Sequence, residues 1–473
     1  MKIEFTKGGF MQKLFSSEKG FIFTMAGAAI GLGNIWRFPY LVANYGGGLF
    51  LLLYLALLVF LGYFLLLGEV SFGKTARANV IDGTRAIADQ SESKHPSRWV
   101  KLVGIPPLLT AFMMNITYLI IMGWILFYIV QNMLYLGDVS STAVTPHTFI
   151  DLTNDFQKQL FWSFLCVISA SILLIKGSLK QIEKIASIFI PAIFFILVYL
   201  TFWAMTQDGA FDGIKSVFKP DWVAFGFTEN GFDIKQFTTV FFAALSQLLY
   251  SLSIGMAVAY FYGTRVTKET NMVTSTRYII VLDTLCSILA SMFILGISSA
   301  YNIPKDVGFN LTFISLPIAF EQMLGGYFVM FLFYSVLYLA AYTSLISHFM
   351  PLISFITEKL KITRGAAFSI IATANLVLVA IVLLSFSGSL ADKTPNKSLF
   401  DIANIATDTM LLISVFTMSL FIGWIGGKTI YASFKEQFDK ALPNTQVEYM
   451  KTLFRFAAPL ILVIIILNTL FHF

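Results

Sequence analysis

Charged residues are scarce in this 473-residue chain. Aspartate, glutamate, lysine and arginine together make up 12% of the sequence, whereas soluble globular proteins carry about 25%. Hydrophobic residues make up 57% of the chain, and its mean hydropathy is +0.78. A water-soluble fold does not have enough interior to bury so much apolar surface. The composition therefore excludes an ordinary soluble protein and predicts an integral membrane protein.

Cysteine and histidine are also rare. The chain has two cysteines, Cys166 and Cys286, both within apolar runs, and four histidines. None of these residues is grouped with carboxylates at the spacing of a metal site or a nucleophilic centre, which argues against a membrane enzyme. The net charge of +6 arises from basic connectors between apolar runs, so it indicates membrane topology and not a nucleic-acid partner.

The apolar residues form eleven runs, each long enough to cross a hydrocarbon core of about 30 Å as a helix. Most lysines and arginines lie in the connectors on the side of the amino terminus. This bias predicts a multi-pass protein of the cell inner (plasma) membrane, with a cytoplasmic amino terminus and the carboxyl terminus outside. The runs lie at about residues 20–45, 48–73, 102–135, 159–176, 182–205, 235–263, 276–301, 327–357, 366–388, 400–425 and 454–471.

Two runs contain residues that interrupt a membrane helix. The first has three glycines and an asparagine within 27–34, and the sixth concentrates polar residues within 246–255. Glycines alone also suit close helix packing, but polar residues in mid-span are costly unless they have a partner or face a cavity. Interruptions at matching places indicate an inverted repeat with a binding site at the midplane. Freed N–H groups attract an anionic group and freed carbonyls attract a cation, so the pair suits a zwitterion.

The string Gly31-Leu32-Gly33-Asn34-Ile35-Trp36-Arg37-Phe38-Pro39-Tyr40, followed by Gly46-Gly47-Gly48, resembles the first span of the neurotransmitter:sodium symporter family. Further matches, in order along spans two to eight, are Glu69, Tyr118, Gly123-Trp124, Gln247, Ser251-Leu252-Ser253, Asp283-Thr284 and Thr343-Ser344. An eleven-span chain resembles the shorter bacterial branch, which comprises sodium-dependent amino acid transporters.

The resemblance implies an all-α polytopic membrane protein with one transmembrane transporter domain over residues 1–473. It implies an inverted five-plus-five helix repeat with broken helices 1 and 6 and eleven transmembrane helices. The first repeat would cover about residues 19–206 and the second about residues 233–426, with an extra helix at about residues 451–472. The implied function is a sodium-coupled symporter that imports a small amino acid by alternating access.

The resemblance also implies a substrate site. The substrate carboxylate would lie against the backbone of Leu32 and Gly33 and the Tyr118 hydroxyl, and the ammonium would face the carbonyls of Ala29, Tyr250 and Ser251 and the Ser253 hydroxyl. Amine carriers of the family have an aspartate at the position of Gly31, so the glycine favours an amino acid. The remaining predicted lining residues are Met114, Met256, Ser344 and His348, and they favour a hydrophobic or aromatic side chain. His348 alone also suits a hydrogen-bonded packing residue.

About two sodium ions are implied. The first would be held by Ala29, Asn34, Ser251, Asp283 and an oxygen of the substrate, and the second by Gly27, Ile30, Ala340, Thr343 and Ser344. These are hard oxygen ligands, as a small alkali cation requires, although hydroxyls in membrane helices commonly bond back to their own helix. Chloride-dependent relatives have asparagine at the position of Asp283, so the carboxylate predicts that chloride is not required.

Two gates are implied. Arg37 resembles an outer-gate arginine whose acidic partner aligns with Asn404, with Asp401 and Asp408 about one turn away. At the cytoplasmic end, the family's gate arginine and tryptophan align with Gln12 and Phe15. A tyrosine aligns with Arg265 and the acidic partner aligns with Glu358. We expect Arg265 to supply the positive charge that Gln12 lacks.

One alternative shares the same broken helices. A membrane ligand-sensing receptor or a channel could hold the ligand without coupled uptake. The sequence leaves open which amino acid is carried and which oligomeric state the protein adopts, and the lipid bilayer is its remaining expected partner.

Overall fold

The computed structural model describes residues 14–135, 146–229, 231–303, 310–386, 398–438 and 444–471, and nearly all of these residues are helical. Gln12 therefore lies outside the described residues. We call the side of the helix bundle on which residue 14 lies the amino-terminal face.

The described residues up to 205 form the helices α1 (Glu18–Ala29), α2 (Phe38–Asn44), α3 (Gly48–Leu57), α4 (Tyr63–Ala76), α5 (Val80–Gln90), α6 (Pro96–Trp99), α7 (Ile105–Tyr135), α8 (Pro146–Asn154), α9 (Phe156–Lys176) and α10 (Leu179–Met205). Two short helices, α11 (Ala210–Ser216) and α12 (Trp222–Phe225), lead to the strands β1 (Phe227–Thr228) and β2 (Gly231–Phe232), which pair antiparallel.

The second half contains α13 (Ile234–Ser251), α14 (Val258–Gly263), α15 (Met272–Ala300), α16 (Leu316–Glu321), α17 (Gly326–Leu360), α18 (Arg364–Leu383), α19 (Leu399–Leu420), α20 (Gly427–Phe438), α21 (Asn444–Thr452) and α22 (Ala458–Phe471). Short π-helical segments join or precede several helices, at Gly33–Arg37, Leu58–Gly62, Val100–Gly104, Leu311–Ser315, Phe421–Ile425 and Leu453–Ala457.

Among the described residues, eight helical segments are long and apolar enough to cross a membrane. The pair Glu18–Ala29 and Gly33–Asn44 forms a further, bent span. The sixth predicted run is divided between α13 and α14, and the eleventh corresponds to α22. The chain is an all-α polytopic membrane protein, and the count of eleven spans stays a prediction.

The first interruption separates α1 from α2. Helix α1 begins at the cap Ser17, whose hydroxyl accepts a hydrogen bond from the Gly20 N–H, and it ends at Ile30, where the backbone becomes extended. The helix axis changes direction by 58° across this break. Helix α1 packs against α10, α15 and α17, so the break lies inside the bundle.

The second interruption separates α13 from α14. Three residues between these helices, Ser253, Gly255 and Ala257, have positive φ angles of 51°, 79° and 56°, which an α-helix does not allow. The buried Glu69 carboxylate accepts hydrogen bonds from the backbone N–H groups of Gly255 (2.9 Å) and Tyr260 (3.4 Å). Freed donors in the break thus obtain a partner from a neighbouring span, as buried backbone groups require.

Candidate functional site

The two breaks lie side by side, and a buried polar cluster joins them. The Asn34 side-chain nitrogen lies 2.7 Å from Asp283 Oδ1, 2.9 Å from Ser251 Oγ and 2.8 Å from Ser287 Oγ. The Ser251 hydroxyl is 2.9 Å from each oxygen of the Asp283 carboxylate. All four side chains are no more than 1% exposed. The partners of this carboxylate in the described structure are therefore protein groups.

Backbone groups of the first break are tied to the same cluster. Asn34 Oδ1 accepts a hydrogen bond from the Gly31 N–H (3.0 Å). The Gln247 side-chain amide on α13 donates to the Gly33 carbonyl (3.1 Å). The first break is therefore held open by its own asparagine and by a glutamine from the second broken span.

The residues of the second predicted sodium site also converge. The Ser344 hydroxyl on α17 lies 3.3 Å from the Gly27 carbonyl and 3.4 Å from the Ile30 carbonyl. The neighbouring Thr343 hydroxyl lies 3.0 Å from the Ala340 carbonyl, and Thr343 faces Gly27 directly. Carbonyls from the end of α1 and hydroxyls from α17 thus form a second group of oxygen atoms.

Tyr118 on α7 stands at the first break, opposite α17. Its hydroxyl lies close to the Leu32 backbone and to the Tyr250 and Ser344 hydroxyls. A Cβ added at Gly31 would lie 2.7 Å from the Tyr118 hydroxyl and 3.0 Å from the Ser344 hydroxyl. The absence of a side chain at Gly31 therefore leaves the space between the freed backbone and these hydroxyls.

The other predicted lining residues are buried, and one of them, His348, contacts Tyr118. The Tyr118 ring meets the His348 ring edge to face, with 5.0 Å between ring centroids, and His348 Nδ1 is buried without a hydrogen-bond partner in the described structure. The Ser253 hydroxyl donates to the Ala28 carbonyl (2.8 Å). Met114, Met256 and Ala29 are each no more than 2% exposed.

Arg37 lies at the end of the π segment Gly33–Arg37, beyond the first break along the chain. Its guanidinium donates to Ser246 Oγ (3.1 Å) and lies over the Tyr250 ring, 5.7 Å from the centroid. Asp408 lies within electrostatic range of both Arg37 and Tyr250, whereas Asp401 caps the start of α19 through Ser398. Of the two nearby aspartates, Asp408 is thus the one placed toward Arg37, and the part of the chain that is described contains no Arg37 ion pair within 4 Å.

On the amino-terminal face, Phe15 packs against residues of both broken spans. Phe15 packs against Phe21 and Tyr262, and its N–H donates to the Arg265 carbonyl (3.0 Å). The Arg265 guanidinium lies over the Phe261 ring, 5.0 Å from the centroid. Burial lowers the pKa of Arg265 to about 10, an effect that the Glu358 charge opposes.

Glu358 has polar neighbours of its own on this face. Its carboxylate accepts hydrogen bonds from the Asn79 side chain (2.6 Å) and the Ser354 hydroxyl (3.1 Å). Glu358 and Arg265 line the same cavity of about 350 Å³, without a direct ion pair among the described residues.

Two buried carboxylates were not assigned a role from the sequence. Glu69 holds the second break, and Glu183 on α10 accepts hydrogen bonds from the Ser16 N–H at 3.0 and 3.1 Å and from the Ser16 hydroxyl. Each stands out as a carboxylate in or beside an apolar run, a position that is costly without a partner. That signal identifies the residues, but it does not identify their partners.

Comparisons with known proteins agree with this architecture. A family profile described as the sodium:neurotransmitter symporter family matches residues 12–149 and 141–473. The chain is 28% identical to an uncharacterized sodium-dependent transporter of Haemophilus influenzae, covering 97% of this chain and 98% of that one. It is also 28% identical to the uncharacterized sodium-dependent transporter YhdH of Bacillus subtilis, covering 96% and 97% of the two chains.

The fold of this chain is similar to the crystal structure of MhsT in complex with L-phenylalanine. The TM-score is 0.81 at 28% identity, and the match covers 97% of this chain and 99% of that one. The matches to transporters extend over nearly the whole chain. The chain therefore belongs to the sodium:neurotransmitter symporter family, and it is a sodium-dependent transporter and not an enzyme.

Proposed function

We propose that this transporter imports a hydrophobic or aromatic amino acid together with about two sodium ions by alternating access. The observation that carries the proposal is the buried cluster of Asn34, Ser251 and Asp283 at the meeting point of two unwound spans. A carboxylate surrounded by amide and hydroxyl groups offers the hard oxygen ligands that sodium prefers. Rotating the Asn34 amide by 180° would exchange its nitrogen for its oxygen and present a further ligand to the ion, at the expense of the hydrogen bond that its oxygen accepts from the Gly31 N–H.

The substrate is proposed to lie between this cluster and Tyr118. Its carboxylate would meet the Leu32 and Gly33 backbone, where the first break points freed N–H groups at an anion. A carboxylate oxygen shared with the first sodium ion couples the two bindings, because each ligand then raises the affinity for the other by the same factor. The L-phenylalanine in the MhsT complex supports an apolar or aromatic side chain as the cargo.

The second ion is proposed to bind among the carbonyls of Gly27, Ile30 and Ala340 and the hydroxyls of Thr343 and Ser344. This group bridges α1 and α17, and hydrogen bonds already join them there. An ion at this place would fix α1 against α17 and so hold the amino-terminal face closed until it leaves.

Uptake into proteoliposomes tests the proposal. Vesicles carrying the purified protein should accumulate one or more labelled hydrophobic amino acids above the outside concentration when sodium is outside and potassium inside. Replacing the outside sodium by potassium should abolish accumulation. A ligand-sensing receptor would bind the amino acid without accumulating it, and a channel would only equalise its concentration, so either result would overturn the proposal.

A further inference from the structure

A groove on the lipid-facing side of the bundle, away from the substrate site, combines apolar walls with one basic side chain. It has a volume of about 500 Å³ and lies between α4 with its preceding π segment, α15 and α21. Val59, Phe60 and Val281 on its walls are 59%, 62% and 51% exposed. In a membrane protein, large apolar side chains with this exposure face lipid.

Arg277 is the basic residue of the groove. It lies close to the Tyr63 side chain and forms no ion pair within 4 Å in the described ranges. The Tyr63 hydroxyl and the Gln446 side-chain oxygen, which also line the groove, are buried without hydrogen-bond partners among the described residues. Within the described ranges, the groove thus contains a cation that has no ion-pair partner.

The position of Arg277 along its helix sets its depth in the membrane. Helix α15 has 29 residues, or about 43 Å of length, against a hydrocarbon core of about 30 Å. About 7 Å, or four to five residues, therefore extends beyond the core at each end if the helix is centred. Arg277 is the sixth residue of α15, and its helix begins on the amino-terminal face because Ser275 bonds Glu18. The guanidinium consequently lies where acyl chains give way to phosphate groups.

A hydrogen bond and two aromatic contacts hold the groove walls together. The Tyr449 hydroxyl on α21 donates to the Phe60 carbonyl (2.8 Å), which belongs to the π segment Leu58–Gly62. The Phe64 ring packs against Tyr63 and Tyr449, with centroids 4.9 and 4.8 Å away. A ligand in the groove would therefore contact two spans and the helix that precedes α22.

We propose that this groove binds an anionic phospholipid, with its phosphate on Arg277 and its acyl chains along Val59, Phe60 and Val281. An arginine fork recognises phosphate through paired hydrogen bonds, and basic pockets between membrane helices on the cytoplasmic side bind anionic lipid head groups. A neutral lipid would cover the same apolar walls but would leave the cation without a net opposite charge.

Native mass spectrometry of the full-length protein in neutral detergent tests this proposal with two added lipids, dioleoyl phosphatidylglycerol and dioleoyl phosphatidylcholine. The wild type should bind phosphatidylglycerol at least about fivefold more tightly than phosphatidylcholine, as one basic residue near the surface predicts. Arg277→Gln should remove this preference, and Arg277→Lys should keep most of it. The matched control Arg85→Gln removes an equally exposed arginine from the same face, outside the groove, and should retain it.

Equal binding of both lipids to the wild type would overturn the proposal. An unchanged preference for phosphatidylglycerol in Arg277→Gln would also overturn it. An equal loss of this preference in Arg85→Gln would do the same, because it would indicate a general attraction of anionic lipid to the basic surface. If inorganic phosphate alone protects the protein from heat as well as phosphatidylglycerol does, the site takes a free anion and the lipid assignment is wrong. Should Arg277→Gln fail to fold, Val281→Trp fills the groove with Arg277 intact, and normal phosphatidylglycerol binding by that variant would contradict the proposal.

Discussion

At the scale of single residues, Asp283 carries the only carboxylate in the cluster formed with Asn34, Ser251 and Ser287. A cation in this cluster has its counter-charge supplied by the protein. We therefore expect sodium-driven uptake by the wild type to persist when chloride is replaced by gluconate. Asp283→Asn should weaken sodium activation roughly fivefold, because a charged partner contributes about 1 kcal/mol more than a neutral one, and should make uptake respond to chloride.

The control for this variant is Asp401→Asn, which makes the same chemical change in an exposed helix cap. Uptake measured against sodium concentration, with and without chloride, distinguishes the two. Wild-type transport that stops in gluconate would show that the Asp283 charge does not replace the anion.

Gly31 tests the proposed location of the substrate. An alanine there would bring a methyl group 2.7 Å from the Tyr118 hydroxyl and 3.0 Å from the Ser344 hydroxyl. Overpacking of this kind costs about 1 to 3 kcal/mol, so Gly31→Ala should weaken amino acid binding roughly 5- to 150-fold. Equilibrium binding of the labelled substrate in sodium measures the change.

Gly365→Ala is the matched comparison, because its added methyl group would meet only an Ile175 methyl at 3.2 Å, far from the breaks. Unchanged affinity in Gly31→Ala would place the substrate elsewhere.

At the scale of elements, the start of α1 is held by Glu183. Its carboxylate accepts the Ser16 N–H and hydroxyl, and it lies directly against Gly20. Removing a charged hydrogen-bond partner costs about 1 to 3 kcal/mol, so Glu183→Gln should speed amide exchange at the start of α1 roughly 5- to 150-fold if this end opens locally. Lys184→Gln, an exposed neighbour, should leave the exchange unchanged, and equal rates in both variants would show that Glu183 does not hold the helix.

Arg265, which follows the end of α14, is expected to close the same face. Its carbonyl binds the Phe15 N–H, and its guanidinium covers Phe261 near Glu358. Arg265→Ala should open this face about fivefold more often, the equivalent of roughly 1 kcal/mol for a partly buried cation–π contact. A cysteine placed at buried Ser347, in a background without the native cysteines, reports opening through its alkylation rate. The control variant is Arg85→Ala. If the alkylation rate in Arg265→Ala equals the rates in the parent and in this control, Arg265 does not control the gate.

The sequence predicted both broken elements because their signals are local. Glycines and an asparagine mark the first break, and polar residues within an apolar run mark the second. The contacts that stabilise the breaks are not local, since Glu69 and Gly255 are 186 residues apart and Ser16 and Glu183 are 167 apart. The choice of Asp408 over Asp401 likewise depends on which side of α19 faces Arg37, and that is set by packing and not by residue type.

At the scale of the whole molecule, the two sodium ions proposed to move with a zwitterion would carry two net charges across the membrane. Each charge moved through 100 mV contributes about 2.3 kcal/mol, so two contribute about 4.6 kcal/mol, or roughly a thousandfold accumulation. In proteoliposomes with equal sodium on both sides, a potassium diffusion potential made with valinomycin, negative inside, should therefore drive uptake by itself. The same vesicles with equal potassium on both sides provide the control and should not accumulate substrate. Uptake that does not depend on the membrane potential would mean that no net charge moves with the amino acid. Transport of a zwitterion with two sodium ions would then require a compensating counter-ion.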